Sequence, residues 1–474
     1  MLFSPALWYL DWPNPEIFSY SLIVVSIAFF SSKKFSLAVF FAAFSSIQNP
    51  PVIILMAFFL IYGVADVMRS KQWVKAGVLA LATLPAFAPM VFYYINYGTP
   101  NLIYKVGSAS FSLISFQRTT SFFFDLNQGM MLYIPGIFIL FTFLLFRNWR
   151  RKDWLAYEIA VVLLLMALMA ETTTNWNSDA EGIMRYAVWM LPLLIWGVVE
   201  GYELTRKADR IMLGAVLLTQ LIIVFTFPIW FIAKKENLSD PPIYVKNNYL
   251  AAYLLDSHPS LYNPVPEIFT ERTLNKEVDS SRADILPVIY FRTDGTVTKI
   301  LTDYAGLEGL SSHGDVDAAF LQREKDSHRG DTGVFYIDLS PGEMQFVAQD
   351  KPLTVFNAEF KVNSQPVAMV VDTVYRISVT VKNTGTETWY ARGIDPINLT
   401  YQLLDKESKP VRLDNARDMI PHRLRPGEEV TMPVYLSTPE QPGIYLVDFD
   451  MVQENVSWFE PQGNKTKTIR IDVR

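Results

Sequence analysis

The sequence predicts a membrane-embedded α-helical bundle of about eight transmembrane segments, then a small α/β connector and an all-β sandwich. Three observations lead there. Residues 1–233 carry a succession of apolar runs, several near the ~18–20 residues a bilayer crossing requires, in a chain that is 51% hydrophobic and 14% aromatic. Basic residues before position 235 gather in short clusters between those runs. Beyond about residue 352 hydrophobicity alternates with period two, and turn signals recur every ~8–12 residues.

The expected spans cover residues 16–31, 36–48, 51–68, 74–97, 129–147, 154–171, 185–203 and 211–232. The second is short and ends at "QNPP", which suits a broken or re-entrant helix. The clusters "SSKK", "MRSKQWVK", "RNWRRKD" and "TRKADR" occupy every second loop, and the positive-inside rule places these in the cytoplasm. Residues 1–15, the "NPP" turn, the 98–128 loop, residues 172–184 and everything after Ala233 then face outward. The N-terminus "MLFSPALWYLDWPNPEIF" has no basic leader region. The chain thus reads as starting inside an outer loop, without the helices that would precede it.

Residues 234–351 combine an amphipathic helix in "YVKNNYLAAYLLDSH" with strand-like runs "LPVIYF" and "GVFYIDL", and read as an extracytoplasmic α/β connector. Residues 352–474 read as a sandwich of seven or eight antiparallel strands. The formal net charge of −6 and the scattered basic clusters give no nucleic-acid surface. Cysteine is absent, so disulfides, thiolate metal sites and a cysteine nucleophile are excluded. The four histidines, His258, His313, His328 and His422, lack paired metal spacing and read as surface residues.

Chemistry concentrates at one rim of the bundle. Asp11 and Glu16, Gln48 and Asn49, Arg118, Asp125, Asn127 and Gln128, then Glu171, Asn175, Asn177, Asp179, Glu181 and Arg185 all fall at outer ends of different spans. A site for a membrane-embedded head group needs this set: a carboxylate for a hydroxyl proton, an arginine for phosphate oxygens and amides for hydroxyls. Each residue taken alone reads equally well as a helix cap or a solvated loop end. Arg185 stands apart because it opens an apolar span with no evident need of a charge.

The segments "NPEIFSYSLIVVSIAFF", "FAAFSSIQNPPVIIL", "FFFDLNQGMMLYIPGIFIL" and "EGIMRYAVWMLPLLI", in that order over most of residues 5–232, resemble the later part of polytopic bacterial glycosyltransferases of the GT-C superfamily. In these a Gly-rich outer turn leads into a "YxP" helix and an Arg-Tyr pair opens the "LP" helix. The resemblance implies inverting transfer of a sugar from a polyprenyl-phosphate donor to a glycan, lipid or protein acceptor, outside the bacterial cytoplasmic membrane. It assigns substrate binding to Arg185 and Gln128 at the donor phosphate, with Asn127, Asp125, Asp179, Glu181 and Asn49 around them. The catalytic carboxylate of the superfamily lies in the first outer loop, which the resemblance places ahead of the region matched here; Asp11, in the first remaining outer stretch, is the candidate for that role. No cofactor is firmly implied, and a divalent cation remains open.

"YRISVTVKNTGTETW", "LRPGEEV" and "GIYLVDFDMVQENVSWF" resemble the immunoglobulin-like modules of bacterial carbohydrate-active and surface proteins. Trp389 and Trp458 are the candidate glycan contacts there, since indole rings stack on apolar sugar faces; they read equally as core or rim aromatics. Two other functions compete with a transferase: a non-catalytic membrane protein that binds lipid-linked glycans, and a lipid-linked glycan polymerase or transporter. Charged residues are scarce inside the spans, which disfavours the transporter.

Overall fold

The computed structural model describes residues 4–10, 15–151, 154–177, 182–202, 206–230, 247–274, 286–292, 296–345, 351–364, 369–391, 395–412, 415 and 417–474. They fall into two compact units, Met1–Ile285 and Leu286–Arg474.

The first unit is helical. Its elements are α1 (Glu16–Ser31), α2 (Phe35–Ser46), α3 (Ile53–Ser70), α4 (Trp73–Ala82), α5 (Ala88–Tyr97), α6 (Leu102–Lys105), α7 (Phe116–Phe124), α8 (Met130–Tyr133), α9 (Pro135–Arg151), α10 (Leu155–Ala170), α11 (Arg185–Val188), α12 (Leu191–Gly201), α13 (Lys207–Trp230), α14 (Tyr249–Ser257) and α15 (Pro266–Leu274). Among the described residues three segments are long and apolar enough to cross a membrane: Pro50–Ser70, Trp73–Tyr97 and Lys207–Thr226. Glu16–Ser31, Phe35–Ser46, Pro135–Trp149 and Leu155–Ala170 are apolar but shorter. The expected eight spans are therefore not eight full-length helices. Proline is one reason: Pro135 and Pro192 start new helices inside the runs expected at 129–147 and 185–203, because proline has no N–H to give the preceding turn.

α2 presents Ala38, Val39, Ala42 and Ala43 with no exposed surface, and these small residues let it pack closely on α1 and α3. At the far end of α1, Phe30 stacks on Phe59 at 4.6 Å and meets Tyr62 and Trp196 edge-on at 5.0 and 5.4 Å. Tyr62 donates from its hydroxyl to Glu158 Oε2 at 2.5 Å and the Trp196 indole N–H donates to Glu200 Oε1 at 3.4 Å, so both polar tips in this aromatic cluster have partners.

The second unit holds two parts. In the first, β1 (Val288–Phe291), β2 (Val297–Thr302) and β4 (Phe335–Asp338) form an antiparallel sheet in the order β1-β2-β4, α16 (Tyr304–Glu308) and α17 (Ala318–Ser327) supply helical cover, and β3 (Asp315–Val316) pairs with β5 (Met344–Gln345). Ile289, Ile300, Leu307, Phe320 and Ile337 make its core. The other part is the expected β-rich region. β6 (Ala358–Val362), β7 (Val374–Asn383) and β11 (Glu429–Ser437) form one sheet in the order β11-β7-β6; β8 (Ile397–Asp405), β9 (Pro410–Arg412), β10 (Asp418–Met419), β12 (Gly443–Gln453), β13 (Ser457–Trp458) and β14 (Lys467–Val473) form the other. Alternate residues of both sheets, Ile377, Val379 and Val381 from β7 and Val447, Phe449 and Met451 from β12, share one core.

The stretch 234–351, expected to be one connector, is divided: α14 and α15 belong to the helical unit, and β1–β5 to the β-rich unit. α14 and α15 go with the helices because a buried polar network, described below, ties them there.

Trp389, a candidate glycan contact, has no exposed surface and meets Phe459 edge-on at 5.3 Å inside the sandwich core. A buried ring cannot stack on a sugar, so the indole serves packing. Trp389→Ala should cost about 3–5 kcal/mol of sandwich stability. Trp458→Ala should cost clearly less, since that half-buried ring has the Arg417 guanidinium 4.9 Å from its centre at the surface. Denaturant midpoints followed by hydrogen exchange across β7–β14 check both; equal losses would contradict the assignment.

Candidate functional site

Arg185 is positioned by the backbone before it. Gly182 sits at φ +108°, and a Cβ there would come within 2.4 Å of the Tyr133 hydroxyl, so only glycine lets the chain pass. The Tyr133 hydroxyl donates to the Asn127 carbonyl. Tyr9 donates to the Ile183 carbonyl at 2.5 Å, and the Met184 N–H donates to the Gln128 carbonyl at 3.1 Å. Tyr9 and Gln128 thus pin residues 183 and 184, with Tyr133 packed against Gly182. α11 begins immediately after them, with Arg185 at its first position.

The Arg185 guanidinium lies 4.8 Å from the Tyr186 ring centre, and its Nη2 donates to the Tyr186 hydroxyl at 3.0 Å. Its Nε is buried and unpartnered, as is Nε1 of fully buried Trp189. α1 packs against α11, and its first residue is Glu16, only 2% exposed. Glu16 Oε2 is buried without a partner too, and no hydrogen bond or ion pair closes between Glu16 and Arg185. One turn along α1, Ser19 accepts from Asn49 Nδ2 at 2.6 Å, which fixes the end of α2 beside Glu16. Buried polar atoms almost always have partners, because leaving one unmade costs about 1–3 kcal/mol. A carboxylate, a guanidinium and an indole N–H held this way have the donors and acceptor to grip an anionic, hydroxylated group.

The other rim residues are used differently. In "DLNQG", Asp125 Oδ1 accepts from the N–H groups of Asn127 and Gln128 at 2.8 and 3.0 Å, closing a tight turn. Gly129 completes it, since a Cβ there would lie 2.3 Å from the Asp125 nitrogen. Asp125 Oδ2 accepts from the Tyr262 hydroxyl at 2.8 Å. Asn127 donates to Tyr262 and to Asn247 Oδ1, each at 3.0 Å, and accepts from the Asn248 N–H at 3.0 Å. Gln128 Oε1 accepts from Arg272 at 3.3 Å. Arg118 reaches Glu267 at 2.6 Å and donates to the Glu171 carbonyl at 3.1 Å, with its guanidinium 5.3 Å from the Trp176 ring centre. Asn177 donates to Glu271 at 2.7 Å.

Asp125, Asn127 and Gln128, expected to bind substrate, therefore fasten the strap formed by α14, α15 and the loop between them. Among the described residues the docking combines these hydrogen bonds with the Arg118–Glu267 ion pair and with Val265 and Ile268, which are buried in the core of the helical unit. Burial raises the Asp125 carboxyl above its ordinary range, against the pull of Tyr262, the two N–H groups and Arg272. The Glu171 carboxyl accepts a 3.0 Å hydrogen bond from the Thr119 hydroxyl of α7.

Arg185 and Asn49 lie at the α1 end of the bundle, near Glu16, which carried no assigned role in the sequence. Asp11, Asp179 and Glu181 lie outside the described residues. Trp389 and Trp458 belong to the second unit. The partners that sequence reasoning missed, Tyr262, Glu267, Glu271 and Arg272, stand far away in the chain with no motif around them; the polar i, i+4 pair Glu267 and Glu271 was the one available hint.

No family model matches the chain, and no curated protein matches it. Among solved structures it is similar in part to a β-glucosidase from Listeria innocua in complex with isofagomine, at 18% identity over 31% of this chain and 20% of that one, with a TM-score of 0.18. It is also similar to the CARDB domain of a Pyrococcus furiosus protein in complex with di-metal ions, at 20% identity over 25% of this chain and 90% of that one, TM-score 0.17. A third is the sporulation control protein Spo0M from Bacillus subtilis, at 15% identity over 25% and 49% of the two chains, TM-score 0.17. The chain spans a fifth of the length of the β-glucosidase. Likenesses this low carry no argument about function.

Proposed function

We propose that the chain is a GT-C-type membrane glycosyltransferase, or the donor-binding part of one, that works on a polyprenyl-phosphate-linked sugar. The observation that carries this reading is the Glu16–Arg185 arrangement: opposite charges brought together at one end of the bundle, each with a buried unpartnered atom, without closing on one another. In this reading Arg185 holds the donor phosphate through its N–H groups, and Glu16 takes the proton of the acceptor hydroxyl. The acceptor oxygen attacks the anomeric carbon, the bond from that carbon to the phosphate oxygen breaks, and the polyprenyl phosphate leaves as the anion that Arg185 balances.

The three long apolar helices and the shorter ones beside them support an eight-pass bundle in the bacterial cytoplasmic membrane, with short passes held inside the protein. On that topology the α1 end of the bundle and the β-rich unit are extracytoplasmic, and the sandwich is an immunoglobulin-like module for a glycan acceptor. The acceptor is a cell-surface glycan, lipid or protein.

Turnover in proteoliposomes, with a panel of polyprenyl-phosphate sugars, tests the reading. Glu16→Gln should lower turnover by about a hundredfold or more while donor binding persists. Arg185→Ala should weaken donor binding by roughly tenfold or more. Asp11→Asn should leave both near wild type; loss of turnover in that variant, with Glu16→Gln active, would move the base to Asp11. Donor binding with no turnover would identify the non-catalytic lipid-glycan binder, and neither binding nor turnover would end the proposal.

A further inference from the structure

The four histidines show no paired spacing in the sequence, yet two of them meet in the second unit. The rings of His313 and His422 have centres 5.7 Å apart and planes at 73°. His313 ends the 3₁₀ turn Leu310–Ser312 ahead of β3, and His422 lies in the loop between β10 and β11.

Their meeting is enforced by Arg423. Its Nη1 pairs with Asp315 Oδ1 at 2.7 Å and its Nη2 donates to the Ser311 carbonyl at 3.0 Å, so one guanidinium grips the chain on both sides of His313. The Arg423 side chain is 13% exposed while that of Asp315 is 68% exposed, so the bond to the Ser311 carbonyl adds to what a solvated ion pair alone would hold. On the other side, Leu424 and Trp389 exchange both backbone hydrogen bonds at 2.9 Å, and Trp389 is fully buried. His422 is thus anchored to the sandwich core while Arg423 draws His313 onto it.

Two imidazoles bound to one tetrahedral ion, at nitrogen–metal distances of about 2.0–2.1 Å, place their ring centres roughly 5–6 Å apart. The observed separation of the ring centres falls in that range, and both rings are half-buried. Among the described residues no third histidine or carboxylate completes a protein cluster. Asp315 is held by Arg423, and Glu428 accepts from the Arg425 N–H at 2.8 Å.

We propose that His313 and His422 form a two-histidine site for a divalent transition-metal ion of the zinc class, with water completing its shell, which staples the α/β part to the sandwich. The site is independent of the lipid-sugar reading and is tested without turnover.

The full chain in detergent, stripped with chelator, is titrated with zinc chloride by calorimetry and with cobalt chloride by visible absorption. One equivalent should bind with micromolar affinity, weakening as pH falls through the imidazole range. His313→Ala and His422→Ala should each weaken binding by at least about tenfold, and zinc should raise the melting temperature of wild type alone. His313→Gln and His422→Gln carry the test wherever an alanine variant melts lower without metal. His328 is the discriminating control, because it has Asp331 at 2.9 Å and Glu324 at 3.8 Å as competing ligands. No uptake, uptake that survives loss of both His313 and His422, or uptake abolished by His328→Ala would each overturn the site and leave the pair as an edge-to-face ring contact.

Discussion

The helical unit depends at one end on a buried hydrogen-bond network centred on Asp125. One carboxylate closes the "DLNQG" turn through two N–H groups and also accepts from Tyr262. The turn carries Asn127, which binds the strap, and the carbonyl of Gln128, which holds Met184. The same few atoms therefore set the strap and the backbone that presents Arg185. Because each member is satisfied by the others, removing one would leave several buried groups unmet.

This division of labour separates residues that looked alike in sequence. Asp125, Asn127 and Gln128 on one side, and Glu16 and Arg185 on the other, are all polar residues at span ends. Partnership distinguishes them: the first group is bonded to the strap, while the second keeps buried unpartnered atoms. Gln128 has a foot in each, since its Oε1 takes Arg272 but its Nε2 is buried without a partner.

The second unit repeats the lesson in aqueous surroundings. Period-two alternation set β7, β11 and β12 clearly enough for their inward faces to be read from sequence. Trp389 and Trp458 could not be told apart that way, because both stand in aromatic, turn-flanked stretches; only the tertiary packing buries the first and leaves the second beside Arg417. His313 and His422 were likewise invisible as a pair, since Arg423 brings them together across more than a hundred residues of chain.

By itself the sequence determined the alternation of apolar and polar runs, and with it the helical half and the β-rich half. Those features follow from local chemistry: hydrophobic periodicity, proline's missing N–H and the turn preference of Asp, Asn and Gly. Tertiary structure alone decided the lengths left to the helices, the membership of α14 and α15, and which polar residues are consumed in packing. The physical reason is that a hydrogen bond is satisfied by geometry and not by neighbourhood in the chain, so Tyr262 could claim Asp125 while Glu16, beside Arg185, was left open.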